Sequence, residues 1–132
     1  MEQEIRKIVR DVIKEYVSRK DLRDIENYAD SLFSDIGVDV ELSSHFADRV
    51  NDPRNKKEIE PEELERTFEK TRFKHSNTIT NMKDQEAVIN DRSTDINIPI
   101  AVSKTVDGVK SLVGMTIMRK KDFLSSSPKL KV

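Results

Sequence analysis

After Gln85 the spacing of apolar residues changes from mainly helical to alternating, and that change limits the folds open to this chain. Up to Phe68 the apolar positions recur every three or four residues: Ile5, Ile8, Val9, Val12, Ile13, Tyr16 and Val17, then Ile25, Tyr28, Ala29, Leu32 and Phe33, then Leu64 and Phe68. Each series lines one face of an α-helix. After Gln85 the pattern alternates. Val88 to Asp91, Ile96 to Lys104 and Val109 to Met118 read as strands, with Asp107-Gly108 as the hairpin turn between the last two. Helices followed by a meander can bury both sets of apolar residues only by laying the helices on the sheet. The expected fold is α+β, with N-terminal helices packed on one face of a three- to four-stranded antiparallel sheet.

Local signals divide the first half further. Gly37 suits a left-handed helix end, and Val38, Val40 and Leu42, alternating with Asp39 and Glu41, read as a short strand or extended link. Ser43 or Ser44 can cap a helical turn that carries His45, Phe46, Arg49 and Val50. Asp52-Pro53 forces an extended step. Glu60-Pro61-Glu62-Glu63 opens another helix, with proline in its first turn and acids where the helix dipole favours them; its stripe is expected to fade before His75, leaving 76–83 turn-like. Pro99 implies that its strand is an edge, or that the missing amide faces away from the ladder.

A chain of 132 residues needs no second core. Three segments are expected: an amphipathic helix within 1–22 that docks on its own domain or a partner, a core over 23–124, and a basic tail over 125–132. Hydrophobic residues are 35% and charged residues 37%, so the core should be small. The 24 basic and 25 acidic residues nearly cancel, which leaves any polyanion site to be local. The absence of cysteine excludes disulfides, thiolate metal sites and cysteine nucleophiles, and suits a reducing cytoplasm. No stretch approaches the roughly 20 apolar residues of a membrane span, so no membrane partner is expected.

The residues richest in chemistry lie at Ser44-His45-Phe46-Ala47-Asp48-Arg49-Val50-Asn51-Asp52-Pro53-Arg54. Histidine moves protons near neutral pH, and arginine grips a phosphate with two parallel hydrogen bonds. His45 and Arg49 stand four residues apart on one helix face, so a phosphate oxygen can bridge them. The same spacing also suits a solvated face opposite a buried Phe46 and Val50. Thr116 and Arg119 close the last strand, where the Thr116 hydroxyl can orient a phosphate or an attacking 2'-hydroxyl. The two converge only if the strand ends or bulges near Met118. Arg119, Lys120 and Lys121 read equally well as charges that guard a sheet edge. The two histidines are far apart, the acids show no ligand spacing, and three glycines cannot build a phosphate loop, so neither metal nor cofactor is expected.

A helical turn of the form His45-x-x-x-Arg49, a loop, a second helix opened by acids, and three or four strands ending in Thr116-x-x-Arg119 together resemble the barnase, EndoU, colicin and RelE group of small ribonucleases, especially its phage-encoded versions. From about Tyr28 to Val132 the chain is also similar to uncharacterised C-terminal domains of large tailed-phage proteins, on the runs His45-Phe46, Arg49-Val50-Asn51-Asp52-Pro53-Arg54-Asn55 and Met118-Arg119-Lys120-Lys121-Asp122-Phe123. The resemblance implies metal-independent RNA cleavage through a 2',3'-cyclic phosphate. His45 would transfer protons, Arg49 and Arg119 would stabilise the phosphorane, Thr116 would position the nucleophile, and Arg54 and Lys120 would bind phosphate. No second acid or base is placed. The alternative is a non-catalytic virion or assembly protein that keeps the fold and docks through residues 4–17 on another phage protein or on itself. The compartment implied is the host cytoplasm or the virion.

Overall fold

The computed structural model describes residues 17–104 and 107–132. The expected N-terminal helix and its docking role lie outside these residues, apart from Val17. Ser18 opens α1 (Arg19–Ser34) through a reciprocal capping box: its Oγ accepts from the Asp21 amide at 3.0 Å, and Asp21 Oδ2 accepts from the Ser18 amide at 3.0 Å. Leu22, Ile25, Ala29 and Phe33 form the buried face of this helix. Gly37, at φ 74°, turns the chain into β1 (Val38–Leu42). Ser43 then caps α2 (Ser44–Arg49), its Oγ accepting from the Phe46 amide at 3.0 Å. Asp52 is extended before a 3-10 turn at Pro53–Asn55, as its following proline requires.

The second half holds α3 (Pro61–Asn81), β2 (Gln85–Asp91), β3 (Ile96–Lys104), β4 (Lys110–Gly114), β5 (Met118–Arg119) and β6 (Lys129–Lys131). The strands form one sheet ordered β1-β4-β3-β2-β6, with β5 also paired to β3. The fold is α+β as expected, but the sheet is mixed and has six strands rather than three to four antiparallel ones. The meander β2-β3-β4 is antiparallel, whereas β1 joins β4 in parallel and β6, drawn from the expected tail, joins β2 in parallel. Parallel neighbours need long connections. Alternation of side chains does not encode strand direction, so the pattern could not reveal them.

Ile96, Ile98, Ile100 and Val102 of β3 share one face with Ala87, Ile89, Leu112, Val38 and Val40, and all are buried. Phe33, Phe46, Phe68 and Leu64 from α1, α2 and α3 join the same apolar cluster. At about 25 cal/mol per Å² of apolar surface removed from water, these large side chains supply most of the drive to fold.

Pro99 lies in the most central part of this sheet, not on an edge. Its carbonyl accepts from the Met115 amide at 2.9 Å, so its ring nitrogen faces the same side, toward the segment between β4 and β5. A bulge falls there. Gly114 pairs with Ile100 and Arg119 with Ile96, so five steps on one side span four on β3. The extra residue locally opens the ladder, and a residue without an N–H costs nothing at such a point.

α3 also runs past the expected end. His75 has non-helical angles (φ −126°, ψ 19°), yet the helix resumes and reaches Asn81. Ser76 Oγ donates to the Arg72 carbonyl, and Ile79 is fully buried, so a side-chain hydroxyl and core packing carry the helix across the kink. His75 Nε2–H donates to the Lys131 carbonyl at 2.7 Å, tying the kink to β6.

Candidate anion-binding site

Hydrogen bonds at both ends of α2 carry it onto the segment around the bulge. At its start, Ser43 Oγ donates to the Met115 carbonyl at 2.6 Å, while the Ser43 amide donates to Gly114. Beyond its end, buried Asn55 donates from Nδ2 to the Arg49 carbonyl at 3.0 Å and accepts at Oδ1 from the Arg119 amide at 2.9 Å. The α2 run and the β4–β5 segment, remote in sequence, are thus adjacent in space.

Beside this junction lies a cavity of about 590 Å³ lined by Arg54, Asn55, Lys56, Asp95, Met118, Arg119, Lys120 and Lys121. Arg54 and Lys120, the two residues expected to bind phosphate, both line it. Lys56 was not singled out from the sequence and Lys121 only as a charge guarding a sheet edge, although Lys56-Lys57 and Lys120-Lys121 are visible there as basic pairs. Asp95 is the one acid on the wall. Its backbone carbonyl accepts from the Lys120 amide at 2.9 Å and fixes the start of the Lys120-Lys121 segment. Buried Asn97 reinforces the same corner by donating to the Asp95, Met118 and Lys120 carbonyls.

The residues expected to be catalytic are placed differently. His45 is exposed on α2, and neither it, Arg49 nor Thr116 lines the cavity. Phe46 and Val50 are buried beside them, as a solvated helix face requires. Arg49 Nη1 donates to Asp52 Oδ2 at 2.9 Å, and the same carboxylate takes Nε and Nη2 of Arg54 at 3.2 and 3.0 Å. Hydrogen bonds from the Arg54 side chain and amide, and then from Arg49, hold the Asp52 carboxyl far below the usual range. Asp52 is not on the cavity wall, so it braces Arg54 from outside it.

The bulge that would let Thr116 and Arg119 converge is present, but the Arg119 guanidinium is committed to the fold. Nε donates to the Lys57 carbonyl, Nη1 to Glu63 Oε2 and the Thr94 carbonyl, and Nη2 to Glu63 Oε1 and the Glu58 carbonyl. All five N–H donors are used. Arg119 therefore contributes to the cavity as a fixed positive wall, with no donor left over for a phosphorane oxygen. Glu63 was legible only as an acid in a helix's first turn.

A second charged cluster lies on the core face of the sheet. Asp91, the last residue of β2, is fully buried; it accepts from Thr67 Oγ1 at 2.8 Å, Lys70 Nζ at 3.0 Å and Ser93 Oγ at 2.7 Å. Burial pushes its carboxyl up, but these donors outweigh burial and its pKa is lowered. The cluster pins α3 to the β2–β3 turn and is internally satisfied. Among the described residues no group of acids and histidines could hold a metal ion, and no helix is long and apolar enough to cross a membrane. Comparison with known proteins finds no matching family model, and no curated protein or solved structure matches significantly.

Proposed function

We propose that this chain is a single-stranded RNA-binding domain that grips phosphates at the Arg54, Lys56, Lys120 and Lys121 cavity and does not cleave them. The observation that carries this reading is the meeting of two separate basic stretches, 54–56 and 119–121, on one wall of about 590 Å³ in a chain whose overall charge is only −1. Charge concentrated in a concave, partly desolvated place attracts a polyanion even when the whole molecule does not. It is the binding half of what the ribonuclease resemblance implies. The cleavage half lacks support, since the cavity wall holds cations and an acid but no histidine to move a proton.

Fluorescence anisotropy with a short labelled RNA tests the reading. Affinity should fall as salt rises, with a log–log slope of about −2 to −3 for three or four phosphate contacts. K56E/K120E should weaken binding by tenfold or more and flatten that slope. Binding that ignores both salt and these substitutions excludes the cavity as the site. RNA that is cut in the presence of chelator, by wild type and not by H45A, would restore the catalytic reading.

A further inference from the structure

Among the described residues β1 is paired to a strand, β4, on one side only, so its outer edge should be an unpaired row of amides. It is not unpaired. The Val40 amide donates to Asp30 Oδ1 at 2.9 Å, and the Leu42 amide donates to Glu26 Oε2 at 2.7 Å. Both carboxylates come from α1, which runs antiparallel to β1. The spacings match: two residues along a strand advance about 6.6 Å, and four residues along a helix advance about 6.0 Å. Two acids at i and i+4 can therefore present oxygens where an added strand would present carbonyls. Glu26 and Asp30 are half-buried, and α1 is held in place by the buried Ile25, Ala29 and Phe33.

We propose that Glu26 and Asp30 act as a surrogate strand that closes the β1 edge against strand addition by a second copy of this chain. An edge left open is a template for pairing with another chain. A second safeguard lies on β1 itself. If two β1 strands paired antiparallel about Val40, the exposed Asp39 of one would sit opposite Glu41 of the other, and like charges directly opposite disfavour the pair. E41K turns both of these contacts into opposite-charge pairs, so in that background only the α1 carboxylates keep the edge shut.

Sedimentation of purified full-length variants tests this. E41K should remain monomeric, and E26A/D30A/E41K should form a dimer. In parallel, amide exchange at Val40 and Leu42 should quicken by about tenfold or more in E26A/D30A. E26Q/D30N, which keeps an acceptor oxygen at each position, should retain wild-type protection. Dimerisation of E41K alone overturns the proposal, as does a folded triple variant that stays monomeric. Should the triple variant fail to fold, unchanged exchange at Val40 in D30A and at Leu42 in E26A overturns it equally.

Discussion

Arg119 grips Glu63 with two nitrogens, Nη2 to Oε1 at 2.7 Å and Nη1 to Oε2 at 3.2 Å, and so locks the short β5 strand to the first turn of α3. The side chains are only 11% and 16% exposed, so the pair is largely shielded from water. Removing one partner strands the other. R119A leaves the Glu63 carboxylate and three main-chain carbonyls without their donor, and should cost about 3 to 5 kcal/mol in urea unfolding. E63Q keeps an acceptor and should cost less. Equal losses for the two would show that the carboxylate charge, and not the hydrogen bonds to the main-chain carbonyls, supplies nearly all of the contact.

Acid should expose the same interactions. Burial raises the Glu63 carboxyl, but hydrogen bonds from Arg119 and from the Glu60 amide outweigh it, and its pKa is lowered; Asp91 behaves likewise through Lys70, Ser93 and Thr67. A carboxyl whose folded pKa is depressed binds protons more readily when unfolded. Its contribution is complete above the ordinary carboxylate range and is lost as pH falls through the folded value. Stability should therefore hold steady from neutral pH and fall below about pH 4. D91N and E63Q should each make that acid limb shallower, which urea titrations at several pH values would show.

Gly114 is held by contact, not by its backbone angles. A Cβ at this position would lie 3.0 Å from Leu42 Cδ2 and 3.4 Å from Phe46 Cδ2, where β4, β1 and α2 meet. G114A should cost about 1 to 3 kcal/mol, because the buried Phe46 ring has little room to yield. If the pairing L42A/G114A recovers part of that loss relative to L42A, crowding is the cause; strict additivity would point elsewhere.

Asn55 separates stability from binding. It is buried and bridges Arg49 and Arg119, so N55A orphans the Arg119 amide and should cost about 1 to 3 kcal/mol as well as weakening RNA binding. K121A touches only the cavity wall and should weaken binding with the unfolding midpoint unchanged. A K121A midpoint shift as large as that of N55A would mean the wall is structural.

His45 provides the complementary control. It is exposed and off the cavity wall, so H45A should leave both RNA affinity and the unfolding midpoint within error of wild type. A large loss of affinity would mean that the ligand extends over α2.

Local chemistry was read directly from neighbouring residues. The Ser43 cap, the extended step at Asp52, the α1 and α3 stripes, and the alternating β2, β3 and β4 faces all depend on residues within a few positions of one another, so periodicity and hydrogen-bonding propensity suffice. Arg54 and Lys120 were expected to bind phosphate from residue type and resemblance, and both line one cavity. What made them a pair was the Asn55 bridge, which spans 64 residues from Oδ1 to the Arg119 amide. Arg119 shows the converse. By type it was a phosphate ligand, and only the approach of Glu63, Thr94, Lys57 and Glu58 used up its donors.

The sequence by itself determined α1, the start of α3, the β2-β3-β4 run of strands and the α+β class, because each follows from side-chain spacing along a few turns or a few pleats. The tertiary structure alone decided strand direction, the bulge opposite Pro99, the closure of β1 by Glu26 and Asp30, and which cations face the cavity. A side chain's role is set by the groups that reach it, and contacts between residues far apart in the chain leave no local pattern to read.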